Sequence, residues 1–192
     1  MRKHALGLLA GLIVFAVVAA GCGGGGGGKL KAAEFADKTC PDLATWAGTL
    51  TDVFTNLSSL SNSADAETAK KKLSSALGDL DKATAKLAAA INARSAPDVA
   101  SGDQIKKQAV DALNKLRDEA RKLRTKVDNF DAANAGQVDV DSFSSDVDSF
   151  GSAADKDVNS LDVFSENSDL DNAFSDSKVC KQIASDFSDL SS

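Results

Sequence analysis

Three cysteines, one histidine and a long series of aspartates are the residues of this 192-residue chain with chemistry to offer. The thiols are Cys22, Cys40 and Cys180, and the histidine is His4. Everything beyond residue 21 therefore lacks an imidazole base or imidazole ligand. There is no CxxC pair and no His/Cys cluster, so neither thioredoxin-like chemistry nor a zinc site is indicated. No GxSxG, HExxH or Walker-type loop occurs, and the run Gly23–Gly28 is followed by neither a strand pattern nor GK[ST]. Asn167, Asp169 and Asp171 imitate the opening of an EF-hand loop. Position six is Asn172 instead of the turn glycine, however, and position twelve is Lys178 instead of glutamate. The expectation is no catalytic residue, no resident metal and no cofactor.

The aspartates follow a pattern. Val140-Asp-Ser-Phe-Ser-Ser-Asp is followed by Val147-Asp-Ser-Phe-Gly-Ser-Ala, a near-copy one heptad later. Asp141, Asp148, Asp155 and Asp162 each fall one residue after a core position, which on a helix gives an outward acidic line with rungs about 10 Å apart. Such a line is either a solvated face or a surface for a basic partner or divalent cations. The wider charge distribution is uneven. Residues 65–130 carry fourteen Lys and Arg against ten acids, and residues 131–192 carry three Lys against fourteen acids. That is not the concentrated basic surface that nucleic acid demands. It also argues against the domain lying flat on anionic lipid.

The elements that must position these residues are read from heptads. Leu43, Trp46, Leu50, Val53, Leu57 and Leu60 recur at alternating three and four residues. So do Leu73, Ala76, Leu80, Ala83 and Leu87, widened by Leu77 and Ile91. Leu113, Leu116, Ala120, Leu123, Val127 and Phe130 make a third run. Val140, Phe143, Val147, Phe150, Ala154, Leu161 and Phe164 make a fourth. A mean spacing of 3.5 puts each set on one helix face, as in coiled coils and antiparallel bundles. Trp46, on such a stripe, reads as packing and not as a ligand platform.

Breaks fall between the runs. Pro41 suits the first turn of the first helix, with Thr39 or Cys40 as its cap. Asn62–Asp65 separates the first helix from the second, and Ser95–Asp98 stops the second. Ser101-Gly102-Asp103 starts the third, and Asn134-Ala135-Gly136 ends it. Connections this short make neighbouring helices antiparallel. The expected fold is all-α: an up-and-down four-helix bundle with coiled-coil-like heptads. A C-terminal fifth amphipathic helix, capped at Ser168, carries Leu170, Phe174, Ile183, Phe187 and Leu190.

The first residues supply an address. Met1-Arg2-Lys3-His4 is a basic head, and Ala5–Ala20 is an unbroken run of apolar residues and glycine. Ala19-Ala20-Gly21-Cys22 closes it, in the order of a secretory signal. Over Val18–Cys22 the segment resembles the lipobox of bacterial lipoproteins, with Ala19 where that family usually has leucine. The resemblance implies cleavage before Cys22, a diacylglycerol thioether on its sulfur, and acylation of the new amine by a palmitate-type chain. Signal peptidase cutting after Gly21 would instead release a soluble protein. A retained anchor is the third reading, although 16 residues are short against the roughly 20 that span a bilayer.

Once Cys22 is assigned to lipid, Cys40 and Cys180 remain as an even pair. Outside the cytosol such a pair is expected to form a disulfide, the other reading being two independent buried thiols. The organisation is then residues 1–21 as lipoprotein signal peptide, 22–29 as lipidated cysteine and glycine-rich tether, and 30–192 as one helical domain. The functional expectation is a non-enzymatic, lipid-anchored module on the extracytoplasmic face of the cell membrane. Its partners are the bilayer, through acylated Cys22, and an unidentified envelope protein or polymer, but no nucleic acid. The alternative is a small-ligand or cation-binding lipoprotein. A carrier needs polar residues inside the stripes, where Asp157 is the main example.

Overall fold

A computed structural model describes residues 29–60, 66–131, 134 and 137–183. The leader, Cys22 and the glycine run, the break at Asn62–Asp65, Ala135 and Gly136, and Phe187 and Leu190 lie outside the described residues. The side chains of Leu57, Leu60 and Val140 are likewise outside them. Every named element is helical: α1 (Ala32–Leu60), α2 (Ala66–Ala93), α3 (Gly102–Asn129), α4 (Gln137–Asn159), a 3-10 segment (Ser160–Phe164) and α5 (Ser168–Asp176). Residues 178–183 add a short helical stretch. The only β-type pairing among the described residues is an isolated bridge between Leu30 and Pro97.

In α2 and α3 the large apolar residues face inward. Leu73, Leu77, Leu80, Leu87 and Ile91 of α2 are buried, and so are Leu113, Leu116, Ala120, Leu123 and Val127 of α3. Burying a leucine side chain stabilises by about 1.5–3 kcal/mol, so packing holds these helices more than propensity does. Cross-helix contacts give their directions. Lys70 Nζ donates to Phe130 O at 2.7 Å, Arg117 Nε lies 3.2 Å from Asp81, and Lys106 Nζ donates to Arg94 O at 2.6 Å. Numbers rise along α2 as they fall along α3, so the pair is antiparallel. Trp46 with Thr84 and Asp42 with Arg94 show the same for α1 and α2. Phe130 stacked on Phe143 at 4.7 Å and Lys126 paired with Asp146 show it for α3 and α4.

The chain then returns to α1. Phe164 and Phe174 lie 5.0 Å apart and 6.1 and 6.3 Å from Phe35, forming an aromatic trio under the first turns of α1. Cys40 and Cys180 are disulfide-bonded across 140 residues, with Cα atoms 5.3 Å apart.

Four boundaries differ from the expectation. First, α1 begins at Ala32, so Pro41 sits inside it and Thr39 and Cys40 are buried mid-helix instead of capping. A proline costs about 3 kcal/mol in a helix interior. Here it lies on the exposed side, and burial of Phe35 and Ala36 in the preceding turns offsets that cost. Second, α3 ends at Asn129, with Phe130 extended at its C-terminus, five residues before Asn134. Third, α4 stops at Asn159, and the chain tightens into the 3-10 segment, which buries Val163 and Phe164. Fourth, the fifth amphipathic segment is interrupted at Ser177, which is extended and buried, and its cap is Asn167 and not Ser168.

Where the described chain enters the domain it is clamped. Leu30 N donates to Ala96 O at 3.0 Å, and Asp98 N donates to Leu30 O at 2.6 Å. Lys29 Nζ lies 3.4 Å from Asp103. The α2–α3 turn that receives this strand is tight. Ser101 has φ 60°, a left-handed value unusual for serine, and a Cβ on Gly102 would lie 2.0 Å from Pro97 O.

Candidate functional site

The sequence offers one surface feature for recognition, the aspartate series. Asp141 and Asp148 are exposed on α4, and Asp155, half-buried, accepts a hydrogen bond from Asn159 Nδ2 at 3.4 Å. These three share the seven-residue spacing on one continuous helix. Asp162 does not, because it falls in the 3-10 segment, where the angular step per residue differs. Burial pushes its carboxyl above the usual range, and the charge of Glu166 pushes it further. The row is therefore three carboxylates on α4, with a fourth re-aimed beyond its end.

The basic stretch of α3 does not simply neutralise this row. Lys126 pairs with Asp146 of α4, but Arg117 and Arg121 both turn to Asp81 of α2, the latter at 3.0 Å. Lys122 pairs along its own helix with Glu119 at 2.6 Å. Arg117–Asp81 is part-buried, and the more exposed pairs are worth at most about 1 kcal/mol each.

Asp157, the polar member of the fourth run, is half-buried against α3. Burial raises its carboxyl, Lys115 opposes that, and Glu119 adds to it. Nearby, Gln108, Asp111 and Lys115 of α3 meet Ser160, Val163 and Glu166 around an open cleft of about 340 Å³. Its walls are of mixed charge. Among the described residues no group of three His, Cys, Asp or Glu side chains is arranged to hold a metal ion. The EF-like residues instead make a helix cap: Asn167 Oδ1 accepts from Asp169 N at 3.1 Å and from Leu170 N at 3.2 Å.

Sequence reasoning missed two polar contacts, the first buried and the second part-buried. Trp46 Nε1 donates to Thr84 Oγ1 at 2.9 Å, and Arg94 Nη2 donates to Asp42 while its Nη1 is buried without a partner. A signal for the first existed: Thr84 is a hydroxyl inside an otherwise apolar stripe, which demands a buried partner.

No described helix is long and apolar enough to cross a membrane. Comparison with protein-family models, with curated proteins and with solved structures returned no match.

Proposed function

We propose that this chain is a lipid-anchored extracytoplasmic module of the cell envelope, which engages another envelope protein or polymer through helix faces and catalyses no reaction. Its domain is read as an up-and-down four-helix bundle with coiled-coil-like heptads, closed by the C-terminal return to α1. The observation that carries the address is the Cys40–Cys180 disulfide, because such bonds persist in oxidising compartments. It complements the signal-like leader, and the third cysteine, Cys22, is placed where the lipobox resemblance puts an acylated one. Several acyl chains make physical sense, since one alone holds a protein only marginally at a bilayer.

The acidic row supports engagement through a face. Its carboxylates stand on the side of α4 away from the buried Phe150 and Ala154. The small-ligand alternative has the mixed-charge cleft beside Lys115 in its favour.

The experiment is metabolic labelling with a palmitate analogue, together with fractionation of the parent and a Cys22→Ser variant. The expected result is label in the membrane-bound parent and an unlabelled variant that is released or stalled but still folded. An unmodified N-terminus at Cys22, or parent found wholly in the medium, overturns the anchor.

A further inference from the structure

We infer that the Leu30 clamp makes the α2–α3 turn the membrane-facing end of the domain and holds the opposite end, with Asp141 and Asp148, furthest from the lipid. This rests on the lipid anchor proposed above and adds an orientation to it.

Between Cys22 and Lys29 there are six glycines, and a chain of that length spans at most about 25 Å even when fully extended. From Lys29 onward the chain is fixed to the domain. The next residue is bonded through both its N–H and its carbonyl to the α2–α3 turn, and Lys29 itself is paired with Asp103. The point of attachment is thus one end of the molecule and not a swivelling arm. Asn167 also reaches this end, where its Nδ2 lies 3.4 Å from Ala100 O. The other end is marked by Phe130 stacked on Phe143. Between them runs α3, whose 28 residues span about 42 Å. A domain several times longer than the Debye length, tied short at one end, must either stand or lie down.

Charge decides between these. α4 carries six aspartates against one lysine, so an anionic bilayer repels that flank. The opposite flank, residues 65–130, keeps only a small positive excess of fourteen Lys and Arg over ten acids. Arg117, Arg121, Lys122 and Lys126 of α3 are engaged with carboxylates of the chain itself, so its pull is weak beside the repulsion of α4. Standing, the domain places Asp155, Asp148 and Asp141 at increasing height. A basic partner meets the last two from the side away from the membrane.

The test uses lipidated full-length protein with its disulfide intact, in phosphatidylcholine–phosphatidylglycerol vesicles bearing an energy acceptor on the headgroup. A donor is attached at Gln104→Cys or at Asn129→Cys, both exposed positions at opposite ends of α3. Transfer is expected to be several-fold greater from position 104. Inserting twenty Gly/Ser residues between Gly28 and Lys29 should largely erase the difference. Equal transfer from both positions, or more from 129, in protein that co-floats with the vesicles overturns the orientation and leaves the anchor standing. A difference that survives the long tether shows that the end itself binds lipid, and overturns the clamp as its cause. Protein that does not co-float overturns the anchor and the orientation together.

Discussion

Trp46 is the sole indole in the chain, and its N–H is satisfied by Thr84 Oγ1, on a residue with no exposed surface. Thr84→Val keeps the shape but strands a buried donor, at a cost of about 1–3 kcal/mol. Denaturant unfolding followed by Trp46 fluorescence should show the midpoint falling with an unchanged slope. Glycines divide by their surroundings. Gly102→Ala drives a Cβ into Pro97 O and should destabilise strongly, loosening the turn that grips Leu30. In contrast, a Cβ on Gly48 of α1 meets nothing within 4 Å, so Gly48→Ala should stabilise by about 0.5–1 kcal/mol in thermal melts. Asp157 gives a pH dependence. Its raised carboxyl keeps a proton in the folded chain that the unfolded chain has already lost. Stability therefore falls as pH rises from the ordinary carboxylate range through the folded value. Asp157→Asn should be more stable than the parent at neutral pH, and the advantage should close near pH 3, at about the unperturbed carboxylate range. Unfolding titrations at both pH values check it.

The helices that the sequence renders best are α2 and α3, because their stripes repeat at helical spacing over most of their length and nothing else competes. Burial of Leu80 or Leu116 follows from position in the repeat alone. The start of α1 was illegible for a physical reason. Pro41 is a strong local boundary signal, and what overrides it is contact between Phe35 and rings more than a hundred residues away. The end of α4 was hidden similarly, since Leu161 and Phe164 continue the spacing while the backbone has already tightened. The grip on Leu30 left no trace, for backbone hydrogen bonds have no side-chain signature. Of the candidate surface, the row Asp141–Asp148–Asp155 was legible, and the departure of Asp162 was not. Changing these four residues to Asn should leave the far-ultraviolet spectrum intact, because none belongs to the core. If the row binds a basic partner, cross-linking to that partner in intact envelopes should weaken, most visibly at low salt. Unchanged cross-linking across salt concentrations would make it a solvated face. Asp162, re-aimed and next to Glu166, should contribute least when the four are changed singly.

Across the whole molecule, one covalent bond joins α1 to the helical stretch that follows α5. In the chain-entropy treatment, closing a loop of this length stabilises by on the order of 5 kcal/mol, although measured gains are often smaller. Reduction should therefore lower the melting temperature far more than it lowers helical content. The stripes of α2 and α3 do not depend on the bond, whereas the aromatic trio at Phe35 does. Calorimetry and circular dichroism on the same reduced sample test this, and a parallel loss of both signals would contradict it. In the extracytoplasmic setting proposed above, the same bond has a consequence under proteolysis. Positions 40 and 180 enclose nearly all of the domain in a covalent ring, with the N-terminal segment attached at one junction. A protease that clips the ring once, at any exposed turn, opens a circle but frees no fragment. Both halves stay fastened to each other, and through Cys40 to the N-terminal segment that carries the proposed anchor site. Anchored as proposed, such a molecule would keep its place on the cell after damage that would shed an unbridged domain.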